Sequence, residues 1–277
     1  MVKNSIEIMR NLKDTIKKHE HIYKKYRYVK EVFTWIAETK YRKCSDSAKM
    51  KELKDTKIGK RCFIIGNGPS LQISDLERLK NEDTFAVNRI YKIFDRTDWR
   101  PTYYCSQDSR IIDEISGDFR EIADTCKIMF IRNCAKKESI SGINNLVSFY
   151  LDVAPTGSGL PRFSMNVDKR IYEGCTVAYA SLQIAVYMGY SEIYIIGTDH
   201  NYNLNLNNRG RIEQNGNVTN YMKGLEGKLV FVPQLEKTTN AYKKARLVCE
   251  QRGIVVKNAT RGGKLEVFDR VDFDLLF

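Results

Sequence analysis

Short apolar runs alternate with helical or polar segments through most of the chain after residue 60. Seven of them have the length and β-rich composition of strands, and they lie at residues 62–65, 84–87, 102–105, 128–131, 146–151, 192–196 and 254–257. Helices are predicted over 176–188 and 238–252, the second ended by Gly253. Strands alternating with helices predict an α/β fold with a mostly parallel, Rossmann-like sheet covered by helices on both faces.

The N-terminal segment has a different pattern. Apolar side chains recur at three- and four-residue spacing between lysines up to about residue 43, and they are Met9, Leu12, Ile16, Tyr23, Tyr26 and Phe33. This stripe predicts one helix or a helical pair whose apolar face packs on the core, pairs with another subunit, or lies in a membrane interface with Trp35. Residues 45–59 are polar and Lys-rich and are interpreted as a linker. We therefore predict a basic helical extension at 1–58 and a catalytic domain at 59–277.

Charge is concentrated in that extension. The whole chain carries a net charge of +12, and residues 1–60 hold 17 Lys and Arg against 8 Asp and Glu, a net charge of +9. A basic segment suits an anionic lipid surface or nucleic acid, and the sequence contains no nucleic-acid-binding motif. Contact with the membrane is one interpretation, and a solvated helical face is the other.

The cysteines indicate a reducing compartment. Seven of them are scattered without a C-x-x-C pair or a metal-ligand spacing. We find neither a signal peptide nor an apolar stretch long enough to span a bilayer. The expected location is the cytoplasm, either free or in peripheral contact with the inner face of the plasma membrane.

A glycine-rich turn follows the first predicted strand. Gly66 and Gly68 have no Cβ, so the backbone of this turn can approach an anion closely, with its amides and the Ser70 hydroxyl as donors. Ser74 and Glu77 have the spacing of a capping box for the helix that follows. The turn matches neither the dinucleotide fingerprint nor a P-loop, and an ordinary strand-to-helix turn is the alternative.

Polar residues also follow other predicted strands, and the carboxyl ends of parallel strands form the ligand-binding edge of such a sheet. The candidates at this edge are Gly66, Asn67, Gly68 and Ser70 after the first strand, Asn88 after the second, Gln107 and Asp108 after the third, and Asp199 and His200 after the sixth. Three others could hold an anion: Arg170, Thr176 at a helix start, and Arg261 in a glycine-rich turn.

These motifs together resemble a known family. The segments that carry the resemblance are residues 66–71 with Asn88, then 174–177, 188–190, 195–200 and 258–265, in that order. They resemble bacterial sialyltransferases that use CMP-activated sugar, and more closely the MptE-like family. That family includes archaeal 6-hydroxymethylpterin diphosphokinases and glycosyltransferases of surface polysaccharides and flagellin.

The resemblance implies roles for several residues. Asn88 and Asp108 correspond to two asparagines that hold the nucleotide in the sialyltransferases, and Thr176 lies near their Thr-Ser-Gly. The histidine proposed as their general base has no counterpart in residues 229–233. Asp199, His200 or an acidic residue nearer the acceptor would then act as the base, unless the chemistry differs. Residues 201–227, rich in Asn and Gly, are interpreted as a lid or a disordered loop.

Two enzyme functions follow. The first is a glycosyltransferase that moves a sugar from a nucleotide-activated donor, such as a CMP-sugar, to a glycan, lipid-linked or protein acceptor, with no metal or other cofactor required. Asp272-Phe273-Asp274 is the one Asp-x-Asp motif, and its distance from the strand ends makes it incidental. The alternative is a diphosphokinase using ATP and Mg²⁺, with Asp108 and Asp199 as metal ligands. A binding module without catalytic activity is a third interpretation.

Overall fold

A computed structural model describes residues 20–153, 159–201, 204–206, 212–214 and 234–277. Its strands are β1 (Arg61–Ile65), β2 (Asp83–Val87), β3 (Tyr103–Ser106), β4 (Ile128–Arg132), β5 (Leu146–Phe149), β6 (Leu151–Asp152), β7 (Ile171–Tyr172), β8 (Glu192–Ile196), β9 (Leu204–Leu206), β10 (Ile212–Gln214) and β11 (Val255–Asn258). Its α-helices are α1 (Glu20–Tyr41), α2 (Ser45–Glu52), α3 (Ile73–Arg78), α4 (Ser109–Ile115), α5 (Phe119–Asp124), α6 (Lys137–Ile140), α7 (Val177–Met188) and α8 (Leu235–Glu250). Three 3₁₀ segments span Asn88–Arg96, Ser116–Asp118 and Phe273–Leu276.

Seven parallel strands form the main sheet, in the order β11-β8-β1-β2-β3-β4-β5. The Rossmann-like α/β prediction is confirmed. The chain runs outward from β1 through β2 to β5 and returns to the other side of β1 with β8. Ile65 at the end of β1 therefore lies between Ala86 of β2 and Ile196 of β8. This reversal between β1 and β8 is the position where open α/β sheets bind ligands.

The sheet separates two apolar layers. Side chains alternate between its faces, so that Ile64 joins the layer containing α7 while Phe63 joins the layer on the opposite face. Every residue of α7 is buried, and Gly189 ends the helix in a left-handed conformation at φ +93°. Because its sequence is apolar on all sides, this predicted helix is buried at the centre of one layer.

The N-terminal part of the described chain packs on this core at the end of α1. Tyr41 is buried and donates a 2.9 Å hydrogen bond to the Ser148 carbonyl. Apolar residues of α1 nevertheless remain exposed over 38–70% of their surface, and they are Tyr28, Val29, Val32, Phe33, Trp35 and Ile36. The end of the helix thus packs on its own core, while the described residues leave an apolar face earlier in the helix exposed.

Residues 45–59 differ from the predicted linker, because their first half is helix α2. Met50 of this helix is completely buried in the layer around α7, and the Ser47 hydroxyl donates to the Asp168 carbonyl at 2.6 Å. The lysines around Met50 make this segment polar on average, so its sequence does not show the apolar periodicity of a buried helix. Apolar contributions to the core therefore begin before residue 59, whereas the division of the chain at that residue stays a prediction.

Some local predictions also shift. Helix α3 begins at Ile73, and the backbone N–H of Gln72 donates to the Asp75 carboxylate at 3.2 Å. The N-cap therefore lies two residues before the predicted Ser74. The predicted strand at 146–151 is interrupted and forms β5 and β6. Most of the predicted lid at 201–227 and all of residues 229–233 lie outside the described residues, as do Met9, Leu12 and Ile16.

No helix among the described residues is both long enough and apolar enough to cross a membrane. All seven cysteines lie in described segments and all are free thiols. Cys62 and Cys105 are buried within their strands, as their apolar surroundings predicted.

Candidate functional site

The turns after β1 and β8 are bonded directly to each other. The Gly68 amide donates to the Gly197 carbonyl at 2.8 Å, and the Ser70 hydroxyl donates to Asp199 Oδ2 at 2.9 Å. The Asp199 carbonyl in turn accepts from the Lys264 amide at 2.7 Å. Asp199 thereby links the first glycine turn, the end of β8 and the glycine turn after β11.

The two glycines of the first turn are required by this contact. A Cβ on Gly68 would lie 1.7 Å from Asp199 Oδ2 and 2.7 Å from the Gly197 carbonyl oxygen. A Cβ on Gly66 would lie 2.4 Å from that same oxygen. The sequence predicted that this backbone approaches an anion closely, and the close approach that the structure shows is between two segments of the protein.

The amides of this turn are also engaged. Those of Gly66 and Gly68 donate to carbonyls of the β8 end at 2.8 Å, the Ser70 amide faces Asp199 Oδ2 at 3.4 Å, and the Leu71 amide donates within the turn at 3.2 Å. The sequence had suggested that these amides would be free to bind a phosphate. In this structure they are occupied, and the adjacent Asp199 carboxylate opposes an anion there.

The end of β2 presents Asn88 in an unusual backbone conformation. Its φ is +52°, in the left-handed region that asparagine tolerates better than most residues. The Ser106 hydroxyl donates to Asn88 Oδ1 at 3.1 Å, and the Tyr104 hydroxyl donates to the Asn88 carbonyl. Asn88 is thus held by the end of β3, beside the β1 turn.

Asp108 follows β3 and caps helix α4. Its carboxylate accepts from the Arg110 amide at 2.9 Å and pairs with the Arg110 guanidinium at 2.9 Å. Burial alone would raise the pKa of Asp108, but the hydrogen bonds from Arg110 hold it below its ordinary value. The carboxylate is therefore ionised at neutral pH, as its predicted role requires.

Buried atoms without a partner cluster at this same edge. Four buried side-chain oxygen or nitrogen atoms of the described residues have no hydrogen-bond partner, and three of them follow β1, β3 and β8. These three are Asn67 Oδ1, Gln107 Oε1 and Thr198 Oγ1. The Asn67 amide nitrogen donates to the Val87 carbonyl at 3.0 Å, which orients Oδ1 as an acceptor. A ligand that offers hydrogen-bond donors to these atoms would satisfy polar groups that the described residues leave without a partner.

His200 occupies the end of the β8 turn. Its φ of +49° is uncommon for a non-glycine residue, and its Nε2 lies 2.8 Å from the Thr239 hydroxyl of α8. The ring meets Tyr242 edge to face, with 6.1 Å between centroids. Burial lowers the pKa of His200, so its imidazole is neutral at pH 7.

Among the predicted anion-binding residues, the two arginines already have carboxylate partners. Arg170 pairs with Glu38 of α1 and, at 3.1 Å, with Asp152 of β6. Arg261 pairs with Asp75 at 3.0 Å and with Asp274 at 2.8 Å, which ties the glycine turn to α3 and to the last 3₁₀ segment. Both arginines therefore hold distant parts of the chain together in this structure.

Thr176 is at the N-cap position of α7, in extended backbone, and its side chain makes no capping bond. Nearby Glu173 was not among the residues selected from the sequence. Burial raises the pKa of Glu173, although part of its side chain reaches solvent, and the charges of Arg132 and Lys237 offset some of that rise. No sequence motif marked this residue, because its environment is formed by elements distant in the chain.

The match to known families can now be added to this geometry. A family model described as 6-hydroxymethylpterin diphosphokinase MptE-like matches residues 38–205, more than half of the chain. The chain belongs to the MptE-like family. The matched region contains the candidate residues from Gly66 to His200, whereas Arg261 lies beyond it. No curated protein shows significant similarity to this MptE-like chain.

Solved structures show a similar fold. The MAf glycosyltransferase from Magnetospirillum magneticum AMB-1 has a TM-score of 0.51 and 13% sequence identity, over 83% of this chain and 38% of the MAf chain. The MptE-like chain thus spans well under half of that protein. The sialyltransferase CstII from Campylobacter jejuni, solved with the substrate analogue CMP-3FNeuAc, has a TM-score of 0.40 and 12% identity, over 76% of this chain and 86% of its own. At 13% identity, the likeness to the MAf structure shows a shared fold alone.

Proposed function

We propose that this protein is a glycosyltransferase that moves a sugar from a nucleotide-activated donor, with CMP-linked sugars as the first candidates. The acceptor would be a glycan, a lipid-linked saccharide or a protein in bacterial surface-glycan assembly. One observation carries the proposal: buried acceptors that find no hydrogen-bond partner among the described residues lie at the strand ends beside the β1–β8 reversal. That edge is where α/β sheets bind nucleotides.

The donor would use the polar groups of three strand ends. Asn67 and Gln107 offer acceptor oxygens suited to ribose hydroxyls or a base amine. Asp108 offers an ionised carboxylate that could accept hydrogen bonds from the same ribose and base groups. Asn88, held between β2 and β3, would contribute its amide nitrogen. The phosphate would lie at the N-terminus of α7, where Thr176 and the first amides attract anions.

His200 is proposed as the general base. Its imidazole is neutral at pH 7, and it follows the strand adjacent to β1, beside the proposed donor site. A neutral imidazole can take the proton of an acceptor hydroxyl as that oxygen attacks the sugar. Asp199 would act by joining the turns around this site, because its Oδ2 is bonded to Ser70.

The diphosphokinase function remains the second candidate, since the family description names that activity. It would require Mg²⁺ bound by carboxylates. Within the described segments, no group of three His, Cys, Asp or Glu residues is placed to hold a metal ion. Asp108 is paired with Arg110, and Asp199 accepts from Ser70, so both predicted metal ligands would have to exchange partners.

We also propose peripheral contact with an anionic membrane at the cytoplasmic face. The exposed apolar residues of α1 include Phe33 and Trp35, and residues 1–60 carry a net charge of +9. An anionic surface would neutralise that charge, whereas pairing two such segments in a homo-oligomer would bring like charges together. Self-association through α1 is therefore the alternative outcome of a binding test.

A thermal-shift screen with CMP, UDP, GDP and ATP, each with and without Mg²⁺, tests the proposed donor site. We expect CMP to raise the melting temperature without Mg²⁺. Gln107→Leu should weaken that binding by about five- to tenfold, because it removes one hydrogen bond to the nucleotide. The matched variant Gln251→Leu changes an exposed glutamine and should bind normally. Stabilisation by ATP with Mg²⁺ alone would favour the diphosphokinase.

A further inference from the structure

The His200 ring is anchored through one of its two nitrogens. Nε2 lies 2.8 Å from the Thr239 hydroxyl oxygen, and that hydroxyl lies 2.8 Å from the Leu235 carbonyl one turn earlier in α8. The three groups form a short chain from the imidazole to the helix backbone.

Counting protons along this chain assigns the tautomer. A hydroxyl group carries a single proton, and the Thr239 hydroxyl donates that proton to the Leu235 carbonyl. With the hydroxyl donating to Leu235, its oxygen accepts at the His200 side, and this arrangement places the hydrogen on Nε2. In the neutral ring this leaves Nδ1 unprotonated, with a lone pair available for a proton.

The backbone around His200 is held in a fixed conformation. Its left-handed φ of +49° is one that few non-glycine residues adopt, and such conformations persist where the surroundings impose them. The preceding Asp199 is bonded through its carbonyl to the Lys264 amide, and Tyr242 of α8 packs its ring against the imidazole. With Nε2 fixed on α8, the ring has little freedom to exchange its nitrogens.

We propose that Thr239 is a positioning residue that holds His200 as the Nε2–H tautomer and leaves Nδ1 as the basic atom. This proposal rests on the proposed function for its consequence in catalysis. The acceptor O–H bond breaks, its proton moves to Nδ1, and the oxygen forms a bond to the anomeric carbon of the sugar. The bond from that carbon to the nucleotide breaks, and its electron pair leaves with the phosphate. The imidazolium then returns its proton to solvent.

Nitrogen NMR of the full-length protein labelled with ¹⁵N-histidine tests the tautomer directly. The chain has three histidines, at positions 19, 21 and 200, so the spectrum is simple and His200→Gln assigns the relevant signals. We expect the wild-type protein near pH 7.5 to show His200 protonated at Nε2. Thr239→Ser keeps the hydroxyl and should give the same spectrum, whereas Thr239→Val should give signals of exchanging tautomers.

Turnover gives the second readout. Thr239→Val should lower kcat by roughly tenfold or more with little change in donor affinity, since a misplaced base loses part of the contribution of general-base catalysis. Thr239→Ser keeps the hydroxyl and should retain most of the wild-type kcat. Protonation of His200 at Nδ1 in the wild-type protein, or unchanged His200 signals in Thr239→Val, would overturn the proposal. If the NMR result holds and no sugar is transferred, the proposed function fails while the tautomer assignment stands.

Discussion

The Ser70 hydroxyl donates a 2.9 Å hydrogen bond to the carboxylate of Asp199, 129 residues later in the chain. This contact joins the turns after β1 and β8, the two parallel strands between which the strand order of the sheet reverses. Asp199, which the sequence predicted as a catalytic residue, thus also connects two turns of the structure. The bonds of Asp199 therefore set the spacing of the turns at the candidate site.

A double-mutant cycle measures this contact. Ser70→Ala and Asp199→Ala should show a coupling energy of about 1–2 kcal/mol in urea unfolding, because the acceptor is charged and the bond is partly shielded from solvent. Ser70→Ala combined with Asp98→Ala, at an exposed carboxylate, should be additive. An additive result for the first pair would mean that the contact contributes nothing to folding.

Gly68→Ala should destabilise the protein even in the absence of a ligand. The added Cβ would meet Asp199 and the Gly197 carbonyl, and overpacking of this kind costs about 1–3 kcal/mol. Gly117→Ala is the matched control, because nothing lies within 4 Å of its Cβ position. Urea unfolding of both variants checks this. Wild-type stability in Gly68→Ala, combined with lost nucleotide binding, would restore the interpretation that the glycine makes room for an anion.

Most of the sheet and its central helix were predictable because they depend on local pattern. The apolar runs of β1 and β8 and the continuous apolar sequence of α7 indicate buried elements wherever they pack. Helix α2 was missed because lysines surround its buried Met50. Its burial depends on contact with the sheet, which local composition does not reveal.

The candidate site was predictable in position and less so in detail. Strand ends in a parallel sheet converge, which brings Asn88, Asp108 and His200 to one edge. The partner of the Gly68 amide, and Glu38 as one partner of the Arg170 guanidinium, lie more than a hundred positions away in sequence. A lone sequence shows that a cation or a glycine is present, but its partner becomes visible only with the fold.

Arg170→Ala tests whether that arginine holds the chain together or binds the donor. Removing one member of an ion-paired network that is largely buried costs about 3–5 kcal/mol, so we expect a large loss of stability and faster proteolysis within α1. Lys51→Ala, at an exposed lysine of α2, should change neither. Normal stability with weakened nucleotide binding would instead assign Arg170 to the donor site.

Vesicle cosedimentation tests the membrane proposal. The full-length protein should bind vesicles containing phosphatidylglycerol at low salt, and this binding should weaken as the salt concentration rises. It should not bind neutral phosphatidylcholine vesicles. The double variant Phe33→Ser and Trp35→Ser should bind about tenfold or more weakly, because it removes two large apolar side chains. Leu247→Ser changes an exposed leucine of α8 and serves as control. Absent vesicle binding, with a smaller oligomer in the double variant, would assign the face to self-association.

Product analysis tests the central claim most directly. The protein is incubated with CMP-, UDP- and GDP-sugars, and separately with ATP, Mg²⁺ and 6-hydroxymethylpterin, and nucleotides are quantified by mass spectrometry. We predict release of CMP from a CMP-sugar without Mg²⁺, reduced about a hundredfold in His200→Gln if the imidazole is the general base. Conversion of ATP to AMP with formation of pterin diphosphate, and no turnover of any nucleotide sugar, would contradict the account.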